Sequence, residues 1–155
     1  MDVEEEGGMD GLGMKQQWGT EKPEDKLVLI VDDDEAVWDI LYFVVRKEGF
    51  RVEKATDGEE AMVKAGLLHP DLIVLDLMLP KAGGYEVLRG LQTDHTANIP
   101  IVIVSGRRLD HTTRDILKTE PNVKEFLEKP VSPNTLRAVL HGILKTKPGG
   151  QGDER

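Results

Sequence analysis

The sequence has no cysteine among its 155 residues. Without thiols the chain can form neither a disulfide framework nor a thiolate metal site, and thiol redox chemistry is excluded. It also lacks an apolar run close to the roughly 20 residues that a membrane-spanning helix needs, and its acidic beginning is unlike a secretory signal, which is basic and then apolar. We therefore expect a cytoplasmic protein that does not associate with membranes.

Positive charge is also scarce. The chain carries 20 lysines and arginines against 29 acidic residues, which gives a net charge of −9. Much of the excess lies in residues 1–25, which contain eight acidic and two basic side chains. A surface that binds nucleic acid needs a face rich in lysine and arginine. We therefore expect no direct binding to nucleic acid.

Both ends of the chain have few apolar side chains. Residues 1–25 are acidic and contain several glycines, so they can bury too little apolar surface to offset the entropy lost on ordering. The end of the chain has the same character. The sequence therefore predicts a flexible acidic arm over 1–25, one folded domain over 26–145 and a flexible tail over 146–155. Removal of the arm is expected to change the stability of the domain little.

The middle of the chain alternates short apolar runs with segments of helical period. Leu27 to Val31 is an unbroken apolar run, as in strands buried on both faces of a parallel sheet. Similar runs fill 72–75 and 101–104, and weaker strands are predicted at 51–55 and 125–127. Helical stripes follow the strands, the first of them through Val37, Ile40, Leu41, Val44 and Val45. Five strands alternating with five helices predict an α/β fold, a doubly wound parallel sheet covered by helices on both faces.

Polar side chains follow these strands at the edge where such sheets bind ligands. Asp32 and Asp33 come after the first strand, Asp76 after the third, Ser105 after the fourth and Lys129 after the fifth. Carboxylates that converge at one edge raise each other's pKa unless a cation lies among them. Mg²⁺ fits this small set best, because a Ca²⁺ loop would need closely spaced oxygen ligands that the chain lacks.

Four segments resemble the signature segments of response-regulator receiver domains in two-component signalling: VLIVDDDE, PDLIVLDLMLPKAGG, IPIVIVSG and EFLEKP. The resemblance runs from about Lys26 to Lys145, with Pro80 and Gly84 four and eight residues after Asp76, as in the family. It implies the flavodoxin-like strand order 2-1-3-4-5. It also implies a phosphorylation-dependent binding module rather than an enzyme.

The resemblance further implies a role for each polar residue of the site. Asp76 would be the nucleophile that takes a phosphoryl group from a phosphohistidine and forms an acyl phosphate. Asp33 and Asp76 would ligate Mg²⁺ together with the backbone carbonyl of Met78, and Asp32 would position the waters of the metal. Lys129 would pair with Asp76 and then with the phosphate.

Two more residues would respond to phosphorylation in a member of this family. Ser105 would move to donate its hydroxyl to a phosphoryl oxygen, and Phe126 would follow by turning inward. The implied phosphodonor is a sensor histidine kinase or a histidine phosphotransfer protein, and the output is the docking of an unidentified partner protein or transfer of the phosphate onward. The segment from Glu120 to Lys124 departs from the family pattern that accompanies dimerisation, so we expect a monomer.

Two other functions stay open. A Mg²⁺-dependent phosphohydrolase with a strand-end aspartate would need a second aspartate two residues later, where this chain has Met78. A receiver-like scaffold that acts without phosphorylation would not need the complete set of acidic residues and lysine. Met78 and Arg107 occupy the positions that flank the path of water to an acyl phosphate in receivers. Since neither side chain orients a water, we expect slow loss of the phosphoryl group.

Several other residues have structural interpretations. Asp34 and Glu35 are expected to be turn or helix N-cap residues. Trp38 and Tyr42 lie one turn apart beside the first helical stripe and are expected to be partly in the core, with a partner-facing patch as the alternative. The four histidines show no metal-ligand spacing and are expected to be solvated or structural: His69, His95, His111 and His141.

Overall fold

The computed structural model describes residues 19–148 apart from residues 80, 82, 94, 107 and 108. Its centre is a five-stranded parallel sheet in the order β2-β1-β3-β4-β5. The strands are β1 (Leu27–Val31), β2 (Arg51–Ala55), β3 (Leu72–Asp76), β4 (Ile101–Ser105) and β5 (Val123–Glu128). The helices are α1 (Glu35–Lys47), α2 (Gly58–Leu68), α3 (Gly84–Gly90), α4 (His111–Lys118) and α5 (Pro133–Leu144). The predicted doubly wound fold and its strand order are confirmed.

The three central strands are buried along their whole length. Every residue of β1, β3 and β4 is buried, whereas the edge strands β2 and β5 contain exposed positions. Successive side chains of a central strand point to opposite faces of the sheet. Because helices cover both faces, all of these side chains are buried. This burial explains why the central strands consist of unbroken apolar runs.

Two apolar cores lie on the two faces of the sheet. Val28 and Ile30 of β1 pack on the side of α1 and α5, and Leu29 and Val31 pack on the side of α2, α3 and α4. The alternation follows from the two-residue period of a strand. No helix in the described part of the chain is long and apolar enough to cross a bilayer.

The buried face of α1 differs from the predicted stripe at one position. Ile40 is 58 % exposed, while Trp38 is 9 % exposed and donates from Nε1 to the carbonyl of Ile30 at 3.1 Å. At this turn the buried face of α1 therefore includes Trp38 instead of the predicted Ile40. The reason is that the indole can bury its ring and donate its N–H to β1. Tyr42 stacks on Trp38 with a centroid distance of 4.9 Å and stays 40 % exposed.

The α2 helix begins with a reciprocal pair of hydrogen bonds. Asp57 Oδ1 accepts from the backbone N–H of Glu60 at 2.8 Å, and Glu60 Oε1 accepts from the backbone N–H of Thr56 at 2.9 Å. Both bonds satisfy donors that the helix itself leaves without partners. The two carboxylates therefore fix where α2 starts after β2.

The segment before β1 contacts the rest of the domain. The Glu21 N–H donates to the carbonyl of Lys145 at 3.1 Å, and Arg51 Nε donates to the carbonyl of Glu24 at 3.1 Å. Residues 23–25 form a short 3₁₀ turn, and Pro23 lies against Gly49, whose φ of 97° closes the turn between α1 and β2. These contacts lie within the predicted arm, so the domain boundary after residue 25 stays a prediction.

Candidate functional site

The strand register brings the predicted polar residues to one edge of the sheet. Asp32 comes directly after β1 and Asp76 ends the neighbouring strand β3. Ser105 lies one residue beyond the partner of Asp76 on β4, and the backbone N–H of Lys129 donates to the Ser105 carbonyl at 2.9 Å. The side chains therefore meet because parallel strands end together, although they are far apart in sequence.

Lys129 lies between two buried carboxylates. Its Nζ is 2.9 Å from Asp32 Oδ2 and 3.5 Å from Asp76 Oδ2. Asp32 is 1 % exposed and Asp76 is 4 % exposed, whereas the lysine side chain keeps 20 % of its surface exposed. A compact ammonium can exchange one oxygen partner for another without a fixed bidentate geometry.

Burial and neighbouring charges shift the pKa values of this pair. Burial raises the pKa of Asp76 and the charge of Asp32 adds to the effect, which outweighs the Met78 N–H bond and the Lys129 charge. Burial alone would lower the pKa of Lys129, but its contacts with Asp32 and Asp76 outweigh this and hold the pKa above the ordinary value of 10.5. Lys129 is therefore charged at neutral pH.

Three carboxylates form a group that fits a hard cation. One oxygen each of Asp32, Asp33 and Asp76 lies within 4.8 Å of the others. Asp32 Oδ2 is buried and, although Lys129 Nζ lies 2.9 Å away, no donor of the described residues is aligned with it as a hydrogen bond. An oxygen-only donor set with one poorly satisfied buried oxygen suits Mg²⁺ better than it suits a softer metal.

An open cavity of about 370 Å³ leads to this group. Asp76 is buried but lines the cavity, so a group that enters from solvent can reach its carboxylate. The lining consists of Asp33, Asp34, Asp76, Met78, Gly106 and Lys129. The cavity therefore joins the acidic group, the lysine and solvent in one place.

Two residues next to the carboxylates have distinct local roles. Asp34 Oδ1 accepts from the backbone N–H groups of Ala36 and Val37, so the predicted N-cap interpretation is confirmed. Met78 donates its N–H to Asp76 Oδ1 at 3.1 Å and is 62 % exposed. The predicted contribution of the Met78 carbonyl to a metal stays a prediction. Pro80 and Arg107, which were named from the sequence, lie outside the described residues.

The two predicted switch residues lie on neighbouring strands. Ser105 is 3 % exposed at the end of β4, and Phe126 is half-buried on β5. The guanidinium carbon of Arg114, on α4, lies 5.4 Å from the centre of the Phe126 ring. Sequence reasoning missed Arg114, because a contact between a helix and a later strand leaves no local spacing signal.

Of the four histidines, which were predicted to be solvated or structural, three are exposed and one is buried. His141 is fully buried, with Nδ1 2.6 Å from Thr146 Oγ1 and Nε2 2.8 Å from Glu48 Oε1. Glu48 also accepts from Arg137 Nε at 2.9 Å. This network joins α1, α5 and the segment after α5, at the opposite edge from Asp76, so it has a structural role.

Comparison with known proteins identifies the class to which this site belongs. The family model of the response regulator receiver domain matches residues 28–141, so the chain belongs to the response-regulator receiver family. A curated relative, the alkaline phosphatase synthesis transcriptional regulatory protein PhoP of Bacillus subtilis, is 37 % identical over 120 residues, which are 77 % of this chain and 49 % of the relative. The chain thus spans about half the length of the curated relatives it matches.

Solved structures agree with this assignment. A response regulator from Chloroflexus aurantiacus is 31 % identical with a TM-score of 0.69, and the match covers 77 % of this chain and 97 % of that one. The receiver domain of sensor histidine kinase PA1611 from Pseudomonas aeruginosa has the same fold, with a TM-score of 0.69, 23 % identity and the same coverage. That structure has a magnesium ion coordinated in its active-site cleft. Receiver domains are phospho-acceptor modules of two-component signalling, and this general role applies to the chain.

Proposed function

We propose that this chain is a Mg²⁺-dependent phospho-acceptor switch whose phosphorylated residue is Asp76. The observation that carries the proposal is the position of Asp76. It is a buried strand-end carboxylate that lines an open cavity, within 3.5 Å of the Lys129 ammonium and grouped with Asp32 and Asp33. The family assignment supports the phospho-acceptor role, and the site suggests which residue performs it.

The proposed reaction is a phosphoryl transfer from a phosphohistidine of a sensor histidine kinase or a phosphotransfer protein. An oxygen of the Asp76 carboxylate forms a bond to phosphorus while the bond between phosphorus and the imidazole nitrogen breaks. The imidazole keeps the electron pair and takes up a proton. Lys129 offers its charge to a phosphoryl oxygen in place of Asp76, which it contacts in the structure.

A metal would be held by Asp33 and Asp76, with the Met78 carbonyl as a further ligand and Asp32 positioning bound waters. When bound, Mg²⁺ supplies positive charge that neutralises the phosphoryl oxygens during transfer. Lys129 alone gives one positive charge against three carboxylates, so the site without a metal would repel an anionic donor. This charge balance is the reason to expect that phosphorylation requires the metal.

The proposed output is a changed docking surface for a partner protein. Ser105 would bind a phosphoryl oxygen, and Phe126 would turn inward after it. The chain would then act as a binding module that consumes one phosphodonor per cycle, without nucleic acid as a direct partner. For the phosphodonor and the output partner, only the class of protein is proposed.

Intact-mass measurement tests the proposal against its rivals. The protein is incubated with a small phosphodonor such as acetyl phosphate and Mg²⁺, and in parallel with a chelator. We expect the mass of one phosphoryl group to appear with Mg²⁺ and to be suppressed by the chelator. Release of inorganic phosphate over many turnovers without a phosphorylated protein would favour a phosphohydrolase. Absence of added mass under all conditions would favour a scaffold.

A further inference from the structure

Arg114 on α4 contacts Phe126, the proposed switch residue on β5, in the unphosphorylated protein. The Arg114 guanidinium carbon lies 5.4 Å from the centre of the Phe126 ring, within the range of a cation–π interaction. Within the part of the chain that the structure describes, the Arg114 side chain forms no ion pair and no hydrogen bond. The aromatic ring is therefore the main partner of this guanidinium.

The strand geometry connects this ring to Ser105. Phe126 pairs in register with Ile103 on β4, and both side chains pack in the core on the side of α2, α3 and α4. Side chains two residues apart on a strand share a face, so Ser105 points to the same side as Ile103. Ser105, Phe126 and the helix that carries Arg114 therefore meet on one face of the sheet.

We propose that Arg114 is a positioning residue that holds Phe126 in the half-buried orientation of the unphosphorylated protein, and so opposes phosphorylation. This inference rests on the proposed function, in which Phe126 turns inward when Ser105 moves toward the phosphoryl group. An inward turn would take the ring away from the guanidinium. The contact would then stabilise only the resting state, and a contact made in one of two states shifts the balance between them.

The first test measures binding of beryllofluoride, a phosphoryl mimic, to the full chain in the presence of Mg²⁺ by calorimetry. Arg114→Gln should tighten the apparent Kd about two- to fivefold, the effect of losing one partly exposed cation–π contact. Lys118→Gln is the matched control, since it removes an exposed positive charge from the same helix and should leave the Kd unchanged. In a Phe126→Leu background, Arg114→Gln should have no effect. An unchanged or weaker affinity of Arg114→Gln, or an equal effect in the Phe126→Leu background, would overturn the proposal.

The second test reads the contact without any phosphoryl mimic. The Arg114 side-chain CH₂ protons next to the guanidinium should show an upfield NMR shift from the Phe126 ring current, which disappears in Phe126→Leu. The shift should also decrease when beryllofluoride and Mg²⁺ bind. If the wild-type protein shows the upfield shift but binds no beryllofluoride, the proposed function fails while the contact stands. If the shift is missing, or persists unchanged in the bound protein, the positioning role of Arg114 is wrong.

Discussion

At the scale of single residues, the three adjacent aspartates after β1 do three different things. Asp32 is buried and contacts Lys129, Asp33 is exposed but reaches the carboxylate group with Asp76, and Asp34 caps α1. The backbone leaves the strand at this point, so consecutive side chains point in different directions. Identical side chains therefore acquire different contacts and different exposure from their surroundings alone.

This division of labour predicts different results for two neighbouring substitutions. Asp33→Ala should leave the fold intact and raise the Mg²⁺ concentration needed for phosphorylation by at least about tenfold, because a metal ligand is lost. Asp34→Ala is the matched control and should lower the free energy of unfolding by about 0.5–2 kcal/mol through loss of the N-cap, with little change in the Mg²⁺ requirement. Urea unfolding and Mg²⁺ titrations of phosphorylation measure both effects. Equal Mg²⁺ requirements in the two variants would contradict the assignment of Asp33.

Residue identities at the site could be predicted because strand ends are visible in the sequence. Asp32 and Asp76 each come at the end of an apolar run and Lys129 follows the weaker predicted fifth strand, and the parallel sheet brings the three together. The interaction of Arg114 with Phe126 could not be predicted, since it depends on how far α4 lies from β5. That distance is a packing result that spacing along the chain does not encode.

At the scale of elements, α1 shows where helical periodicity is insufficient. Periodicity placed the strongly apolar Ile40 in the buried stripe and Trp38 beside it. In the structure Ile40 is exposed and Trp38 is buried. The indole gains a hydrogen bond to the Ile30 carbonyl, and Lys54 Nζ covers its ring 4.6 Å from the centroid. The contacts of Trp38 with β1 and β2 therefore determine which face of α1 is buried.

Two alanine substitutions on α1 test this orientation. Trp38→Ala should lower the free energy of unfolding by about 3–5 kcal/mol, as for a buried aromatic residue, and leave the Ile30 carbonyl without its donor. Ile40→Ala should cost less than about 1 kcal/mol because most of its side chain is already in water. Chemical denaturation with fluorescence and circular dichroism measures both. A larger cost for Ile40→Ala than for Trp38→Ala would show that the predicted stripe was right.

The start of α2 leads to a prediction about acid. The hydrogen bond from the Glu60 N–H lowers the pKa of Asp57 below its ordinary 3.8, and the charge of the nearby Lys81 adds to this effect. Partial desolvation opposes the shift but does not cancel it. A carboxylate with a lowered folded-state pKa contributes stability above the unfolded value and loses it as the pH falls through the folded value. Asp57→Asn keeps a capping side chain without the charge. Its melting temperature should therefore lie below that of wild type at pH 7, and the gap should narrow below pH 3.8. A gap that widens on acidification would contradict this account.

At the scale of the whole molecule, the two ends of the described chain lie side by side. Glu21 forms a parallel bridge with Thr146, and its carboxylate pairs with Lys26 at 2.5 Å. Thr146 is in turn hydrogen-bonded to the buried His141. The segment before β1 is thus linked to α5, although its composition predicted an arm without a fold of its own.

Two truncations separate the contacting part of this segment from the rest. Removal of residues 1–18 should change the melting temperature by no more than about a degree, because their composition offers little apolar surface. Removal of residues 1–25, which composition alone predicted to have little effect, should lower it by several degrees more. The reason is that the hydrogen bonds of Glu21 and Glu24 and the packing of Pro23 are lost. Differential scanning calorimetry compares the two. Identical melting temperatures would show that residues 19–25 add no stability.

The fold class and the approximate positions of the elements could be predicted from the alternation of apolar runs and helical stripes, whereas the strand order followed from the resemblance to receiver domains. The positions of the ends could not, because the bridge between Glu21 and Thr146 joins residues at opposite ends of the sequence. The monomeric state also stays a prediction, as does the slow loss of the phosphoryl group expected from Met78 and Arg107. Each depends on contacts with a second molecule or with water.

The central claim is that Asp76 accepts the phosphoryl group, and the intact mass of Asp76→Asn beside wild type tests it most directly. Both proteins are incubated with Mg²⁺ and a small phosphodonor, after circular dichroism has shown that the variant is folded. The wild type should gain the mass of one phosphoryl group that is stable in acid and released by base, as an acyl phosphate is. Asp76→Asn should gain none. A variant that still acquires an acid-stable, base-labile phosphoryl group would place the acceptor elsewhere and contradict the account.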